Sequence, residues 1–316
     1  MNEYRGKHAP SRPWPVASQS VVNTRRGRHQ KKNRRRLVLF LSIALFVLIL
    51  IAWPFVEARI ILTVRDSRQF DDLPSDANRI KVVFVSDIHW GFWFGDSDLK
   101  HLVSRINELN PDIVVFGGDY ATDNATAIQF FEHLRTAGTI HKRYGVYGVL
   151  GETDCGDSAY DRASLLESMR NAKVTPLVNQ VESVNVGSGK IWLAGIDDVL
   201  GGNPDLAYVA RKVSVSDFVI LIAHNPQLIQ SAQQQGDKNG SLGWFDLGLF
   251  GHTHGGQMAI FSDWLDLYDD IPDTYISGWR EENRSKILVT HGIGTSVIPC
   301  RLFCFPQIHC IELTVR

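Results

Sequence analysis

Short apolar runs that end in acidic or imidazole side chains constrain the fold of this 316-residue chain more than any other feature. Five such runs end at residues 85, 116, 150, 223 and 250, and each is followed within four residues by Asp, Glu or His. Continuous apolar runs of this length are typical of strands that are buried on both faces and covered by helices. Because ligand sites form beyond the carboxyl ends of such strands, the sequence predicts an α/β fold whose polar groups converge at one sheet edge.

The remaining periodicity completes one α/β domain over residues 79–316. The predicted helices cover residues 97–109, 125–136, 159–172 and 226–235. The predicted strands cover residues 80–86, 113–116, 145–150, 191–195, 218–223, 247–250, 286–290 and 308–315. No internal repeat and no second domain boundary interrupts this pattern.

The side chains at the strand ends form a set of seven metal-ligand types. They are Asp87, His89, Asp119, Glu152, His224, His252 and His254. Three carboxylates and four imidazoles are too many for one tetrahedral zinc ion, but they suit two divalent ions that share a ligand. Within each Asp-x-His or His-x-His pair, an extended backbone would point both side chains the same way. Mn, Fe and Zn all accept this mixed nitrogen and oxygen set, so the sequence predicts two divalent metal ions without identifying them.

In this order the motifs resemble those of the calcineurin-like metallophosphoesterases. The matching elements are Ser86-Asp87-Ile88-His89, Gly117-Gly118-Asp119-Tyr120, the Gly151 to Asp154 motif, Ala223-His224-Asn225-Pro226 and Gly251-His252-Thr253-His254-Gly255-Gly256-Gln257. The last of these is most similar to the bacterial membrane-anchored branch, and the similarity extends from about Arg79 to the C-terminus.

The resemblance implies a four-layer αββα sandwich with a dinuclear metal centre. It implies that one ion takes Asp87, His89, Asp119 and His254, and that the other takes Asp119 as a bridge with Glu152, His224 and His252. It further implies that a hydroxide held between the ions attacks phosphorus in line with the leaving oxygen. The expected activity is hydrolysis of a phosphodiester or pyrophosphate bond, with Asp119, Glu152 and His224 as catalytic residues.

The third motif departs from the family pattern, which reads Gly-Asn-His followed by Asp or Glu. Here Glu152 stands in place of the Asn and can still offer an oxygen ligand, although it adds a negative charge. Thr153 replaces the His and cannot donate a proton near neutral pH, a loss that typically lowers the rate by ~10²–10⁴. His291 is a candidate replacement acid, and a packed histidine at a strand end is its alternative. The rival to the enzyme is therefore a catalytically impaired metal-binding scaffold.

The N-terminal region indicates a membrane anchor. Residues 1–36 hold eleven Lys and Arg with one acid, and residues 37–56 carry no charge. At about 1.5 Å per residue those twenty residues span a bilayer core as a helix. We expect a disordered basic cytoplasmic tail over 1–36, an uncleaved transmembrane anchor over 37–56 and a linker over 57–78. The positive-inside rule then places the catalytic domain on the extracytoplasmic side of the cell membrane. Cleavage after residue 58 is the alternative.

The partners follow from charge and from a cluster of aromatic residues. Residues 37–316 hold 22 basic and 33 acidic residues, which argues against nucleic acid as a partner. Trp90, Phe92, Trp93 and Phe94 follow His89 directly and could form an apolar rim that holds a lipid-linked phosphate, with residues 264–268 as a facing wall. The alternative is a loop folded back onto the core. The oligomeric state and the pairing of the four cysteines stay open.

Overall fold

The computed structural model describes residues 20–91, 93–156, 158–258, 270–296 and 298–316. The chain divides into two compact units, one that ends at Ala52 and one that runs from Trp53 to Arg316. The second unit contains every side chain that the sequence analysis assigns to the site.

Helix α1 (Ser20–Glu57) contains both the basic block and the apolar run. Its stretch Lys31–Glu57 is long and apolar enough to cross a membrane, by length and composition. The tail was predicted to be disordered as far as residue 36, but helix begins at Ser20. Lys and Arg are good helix formers, so the basic block can extend a helix that starts from the apolar run. The first nineteen residues of the predicted tail lie outside the described residues.

Two six-stranded sheets form the centre of the second unit. The first sheet has the order β1 (Leu62–Phe70), β12 (Gln307–Val315), β2 (Ile80–Val85), β3 (Ile113–Phe116), β4 (Gly145–Gly148) and β5 (Thr175–Pro176). The second has the order β10 (Gly278–Glu282), β11 (Ser285–Val289), β9 (Leu247–Phe250), β8 (Phe218–Ile222), β7 (Gly189–Gly195) and β6 (Gln180–Val186). Strands β2 to β5 run parallel, as do β7, β8, β9 and β11.

Helices cover the outer face of each sheet and give the predicted four layers. The first sheet is covered by α2 (Asp96–Glu108), α3 (Asn124–Ala137) and α4 (Ala159–Asn171). The second is covered by α5 (Leu206–Ala210) and α6 (Leu228–Gln233). Alternate residues of the central strands divide between the layers: Val83 packs under the helices, whereas Phe84 packs between the two sheets. The two sheets therefore share one apolar core, and their carboxyl ends lie at a common edge.

The predicted linker over 57–78 contains a strand of the domain. Strand β1 pairs parallel with β12 over nine residues, from Leu62 opposite Gln307 to Phe70 opposite Val315. Phe70 is buried between the sheets, and its ring meets that of Phe218 edge-on with centroids 5.0 Å apart. The domain therefore begins before residue 79. The sequence analysis missed β1 because a polar edge strand lacks the continuous apolar run by which interior strands are recognised.

Phe70→Ala is expected to lower the free energy of unfolding by about 3–5 kcal/mol, because it opens a cavity between the sheets. Phe303→Ala is the matched control, since that side chain is 67% exposed and its loss should cost no more than about 0.5 kcal/mol. Urea unfolding of the full chain in detergent measures both. Equal stability of the two variants would mean that residues 62–70 are indeed a linker.

Candidate metal centre

The seven predicted donors follow five strand ends at the common edge of the two sheets. Asp87 and His89 follow β2, Asp119 follows β3, Glu152 follows β4, His224 follows β8, and His252 with His254 follows β9. Backbone hydrogen bonds hold these loops together: Asp87 N donates to the Gly118 carbonyl, and Gly251 N donates to the His224 carbonyl. Gly118 allows this packing, since a Cβ there would lie 2.5 Å from the nitrogen of Gly151.

The donor backbones are left-handed rather than extended. The φ angles are 54° at Asp87, 46° at His89, 52° at Asp119, 69° at His252 and 49° at His254. The expectation of extended Asp-x-His and His-x-His pairs is therefore wrong, and tight turns bring these side chains together instead. Left-handed conformations at residues other than glycine are uncommon and persist where the surrounding structure enforces them, often at functional sites.

Six of the seven donors form two clusters among the described residues. Asp87, His89 and His254 form the first cluster, and Asp119, His224 and His252 form the second. Within each cluster the ligand atoms all lie within 4.8 Å of one another. The clusters adjoin, because Asp87 Oδ1 lies 3.8 Å from His254 Nε2 and 3.9 Å from His224 Nε2.

Asp119 faces both clusters with one oxygen. Its Oδ1 accepts a hydrogen bond from the backbone N–H of Thr153 at 3.1 Å, and the Thr153 hydroxyl lies 3.0 Å from the same oxygen. Its Oδ2 lies 3.3 Å from His224 Nε2 and 3.6 Å from His89 Nε2. Thr153 therefore orients Asp119 and leaves Oδ2 directed between the two groups of imidazoles. The sequence analysis assigned Thr153 only a lost acid and missed this role.

The orientation of His224 is set by a backbone contact. Its ring is fully buried, and Nδ1 donates to the Gly117 carbonyl at 2.8 Å. Because Nδ1 carries that proton, Nε2 is the nitrogen available to a ligand. A histidine ligand held in this way by a carbonyl is the usual arrangement at protein metal sites.

His254 lies between His89 and the buried Arg301. Its Nε2 is 3.1 Å from His89 Nε2, so two ring nitrogens approach each other as they would around a shared ion. Arg301, also fully buried, donates to the backbone carbonyl of His254 at 3.3 Å and to that of Gly294 at 3.0 Å. Arg301 therefore ties the loop after β9 to the loop before β12.

Asp154 holds the third motif against the second. Its carboxylate is buried and accepts backbone hydrogen bonds from Asp119 at 2.8 Å, Tyr120 at 3.0 Å and Gly151 at 2.9 Å. This accounts for an acidic residue at the last position of the motif, a signal visible in the sequence whose role was not assigned there.

The pKa shifts of the buried donors show which of them carry protons in the absence of metal ions. The pKa of His224 is raised well above 6.5, since the carboxylates of Asp119 and Asp87 outweigh the effect of burial. Burial would raise the pKa of Asp119, but the imidazole of His224 outweighs it and lowers that pKa. Burial also lowers the pKa of His252 to about 4 and holds the pKa of His254 well below 6.5. His252 and His254 are therefore neutral, and the extra proton on His224 is the one that a divalent ion would displace, since such ions bind unprotonated imidazole.

Glu152 is the predicted donor that the structure does not bring into either cluster. It opens the short 3₁₀ turn Glu152–Asp154, and the residue is exposed. Burial of part of the side chain raises its pKa, and the carboxylate of Asp119 adds to this rise. Glu152 is therefore near the second cluster, but its ligand role stays a prediction.

His291, the candidate acid, is packed in the manner of a structural histidine. Its Nδ1 donates to the Phe305 carbonyl at 3.1 Å, and a Cβ on Gly255 would lie 2.4 Å from its ring. Burial lowers the pKa of His291 to about 4, which leaves the ring neutral at pH 7. These contacts favour the packing role over that of a proton donor.

Only part of the predicted apolar rim is exposed. Trp90 and Phe94 are buried against the core, whereas Trp93 is 45% exposed. Phe92 and residues 264–268 lie outside the described residues. Trp93, His89, Thr295 and Pro299 line one small cleft together with Ala58 and Arg59. The cleft therefore links a predicted metal ligand to the residues that directly follow helix α1.

The last turn of α1 is bonded to the loop that carries Arg301. Glu57 is 1% exposed, and its Oε1 accepts a hydrogen bond from Cys304 N at 2.7 Å. Its Oε2 accepts another from Trp53 Nε1 at 2.9 Å, and Arg301 N donates to the Pro54 carbonyl at 2.9 Å. The residues that leave the helix are therefore fixed beside the metal centre. Cys304 and the other three cysteines are unpaired and buried.

Comparison with known proteins agrees with this geometry. A family model described as calcineurin-like phosphoesterase matches residues 80–256, which is more than half of the chain. An uncharacterised metallophosphoesterase of Bacillus subtilis, YkuE, is 29% identical over 258 residues, which are 80% of this chain and 86% of the relative.

Two further relatives extend the comparison. The Escherichia coli phosphodiesterase YaeI is 24% identical over 75% of this chain and 83% of its own length. A zebrafish (Danio rerio) transmembrane protein with a metallophosphoesterase domain is 29% identical over 73% of this chain, which spans only 52% of that relative. The apolar helix and this relative together indicate membrane association. The chain belongs to the calcineurin-like phosphoesterase family and is a metal-dependent phosphoester hydrolase.

Proposed function

We propose that this protein is a membrane-anchored phosphodiesterase or pyrophosphatase with two divalent ions in one centre. Asp87, His89 and His254 would hold one ion, His224 and His252 would hold the other, and Asp119 Oδ2 would bridge them. The observation that carries the proposal is the pair of adjoining clusters, each with ligand atoms within 4.8 Å. When bound, such ions activate a water as nucleophile and neutralise charge on the phosphoryl oxygens.

The chain's own contribution is to hold the donors in place before substrate arrives. The Thr153 N–H fixes one oxygen of Asp119, and the Gly117 carbonyl fixes the proton of His224 on Nδ1. Arg301 donates a hydrogen bond to the backbone carbonyl of His254 and so fixes its position. Because these three donors are held by neighbours that are not themselves ligands, little reorganisation of them accompanies the reaction.

The third motif supports a substrate with a stable leaving group. Thr153 hydrogen-bonds within the protein, to Asp119 and to the Ala121 carbonyl at 2.8 Å, and it offers no acid. His291 is neutral and packed, which makes it a poor replacement for that acid. A pyrophosphate or an activated diester needs the least help in protonating its leaving oxygen, and it is therefore the proposed bond type.

The rival function is a metal-binding scaffold without turnover. The specific observation in its favour is the absence of an acid at Thr153. Against it, the scaffold would have no use for a shared carboxylate directed between two clusters. Both the enzyme and the scaffold would bind metal ions. Only the enzyme would also hydrolyse a substrate whose leaving group needs no acid.

A lipid-linked substrate is the second part of the proposal. Three apolar side chains near the end of α1 are exposed: Trp93 at 45%, Ile298 at 50% and Phe303 at 67%. Phe303 lies between Arg301 and Cys304, whose backbone nitrogens both bond to the last turn of α1. Large exposed apolar groups near the last turn of α1 fit a surface that meets the membrane interface. Basic residues at the start of the anchor would place this surface on the extracytoplasmic side.

Asp119→Asn is expected to lower hydrolysis of bis(p-nitrophenyl) phosphate by about 10²-fold or more, because the amide cannot bridge two cations. The assay uses full-length protein in detergent with Mn²⁺, and removal of Mn²⁺ by a chelator should have the same effect. Asp123→Asn is the matched control, since Asp123 caps helix α3 through Thr126 N, also accepts from the Thr122 and Thr126 hydroxyls, and belongs to neither cluster. Wild-type chain that binds two ions yet hydrolyses nothing with Mn²⁺, Fe²⁺ or Zn²⁺ would support the scaffold instead.

Trp93→Ala combined with Phe303→Ala is expected to reduce hydrolysis of a long-chain lipid pyrophosphate in phosphatidylcholine vesicles by about tenfold or more. Each aromatic side chain that becomes buried in the lipid contributes ~1.5–3 kcal/mol to binding. Hydrolysis of soluble bis(p-nitrophenyl) phosphate should not change. Leu242→Ala, at another exposed apolar position, is the control. A double variant that loses both activities equally would exclude a membrane-facing role for the two aromatic side chains.

A further inference from the structure

The loop after β7 contains a pair of aspartates that the sequence analysis did not single out. Asp197 and Asp198 follow β7, which is the neighbour of β8 with Gly195 opposite Ile222. The pairing continues one residue further, because Ile196 N donates to the Ile222 carbonyl at 2.9 Å. Asp198 therefore lies at the same carboxyl edge as His224 after β8 and His252 after β9.

The two aspartates differ in how their oxygens are used. Asp197 forms an ion pair with Arg162 and accepts hydrogen bonds from Asp198 N at 2.9 Å and Asn203 N at 2.8 Å. Asp198 accepts from Leu200 N at 2.8 Å and Gly201 N at 2.7 Å, both on Oδ2. Asp198 Oδ1 has no hydrogen-bond partner among the described residues, although the side chain is 0% exposed.

A buried carboxylate oxygen without a partner is unfavourable by several kcal/mol unless a cation lies beside it. Asp197 and its bonds hold the loop rigid, so Asp198 cannot turn outward to reach water without breaking them. An ion in the centre would satisfy this oxygen.

The loop packs directly on the third motif. A Cβ on Gly201 would lie 2.9 Å from the Glu152 carbonyl oxygen and 2.9 Å from the Cys155 Cβ. The loop that carries Asp198 is therefore packed against the turn whose Thr153 holds Asp119.

The second cluster has room for such an oxygen ligand. Asp119, His224 and His252 are three donors, and an ion such as Mn²⁺ that also binds a water accepts further oxygen ligands. Glu152, the predicted fourth donor, and Asp198 both lie outside the two clusters, but Glu152 is exposed. Asp198 offers a carboxylate already buried at the same edge.

We propose that Asp198 Oδ1 is an oxygen ligand of the second ion, the one held by Asp119, His224 and His252. This inference rests on the two-ion centre of the proposed function. With Asp87, Asp119 and Asp198 as the three ligating carboxylates, the exposed Glu152 is not needed as a ligand.

Titration calorimetry with Mn²⁺ on the full-length chain in detergent tests the assignment without reference to turnover. Asp198→Asn keeps an oxygen for Leu200 and Gly201 but places an amide where Oδ1 lies. We expect wild type to bind two ions, and the variant to bind the second at least about tenfold more weakly, with the first unchanged. Glu152→Gln and Asp205→Asn are the comparisons, since Asp205 lies on the same loop and caps helix α5 through Tyr208 N.

Thermal unfolding separates a ligand from a merely structural aspartate. In chelator, Asp198→Asn should be no less stable than wild type, because the substitution removes a buried unpaired charge. With Mn²⁺, wild type should gain more in Tm than the variant. Unchanged affinity for both ions in Asp198→Asn would overturn the proposal, as would an equal gain in Tm. A wild-type chain that binds two ions but hydrolyses nothing would instead refute the enzyme and leave the assignment of Asp198 intact.

Discussion

The contact between Thr153 and Asp119 is the interaction on which the rest of the centre depends. The Thr153 N–H takes one oxygen of Asp119, and this leaves the other within 3.6 Å of imidazoles from both clusters. Asp154 stabilises the same contact, because its carboxylate accepts hydrogen bonds from the backbone nitrogens of Asp119 and Gly151 and so joins the two loops. The third motif lacks the family's acid, but its Thr153 and Asp154 still hold Asp119 in position.

The interior of the fold was predictable because its strands are buried on both faces. All eight predicted strands are present, and each of the four that were missed lies at an edge of one of the two sheets: β1, β5, β6 and β10. Edge strands need polar side chains to avoid pairing with other chains, so they lack a continuous apolar run. Strand β1 had the largest consequence, because residues 62–70 read as a polar linker and are part of the domain.

The candidate centre was predictable as a set of residues but not as a geometry. Asp87, His89, Asp119, His224, His252 and His254 follow apolar runs, and the structure gathers all six. Their left-handed backbones, the hold of Thr153 on Asp119 and the unpartnered oxygen of Asp198 depend on loop packing that no local pattern reports. Asp198 in particular follows a strand that was predicted, but its partner groups lie on β8 and β9, which only the sheet order brings beside it.

The central claim is that two ions share Asp119, and electron paramagnetic resonance of the Mn²⁺-loaded chain tests it most directly. A shared carboxylate places the ions close enough for magnetic exchange, so we expect a coupled two-ion signal in the wild type at full loading. In Asp119→Asn the coupling should disappear. Independent single-ion Mn²⁺ signals in a fully loaded wild-type chain would contradict the dinuclear account.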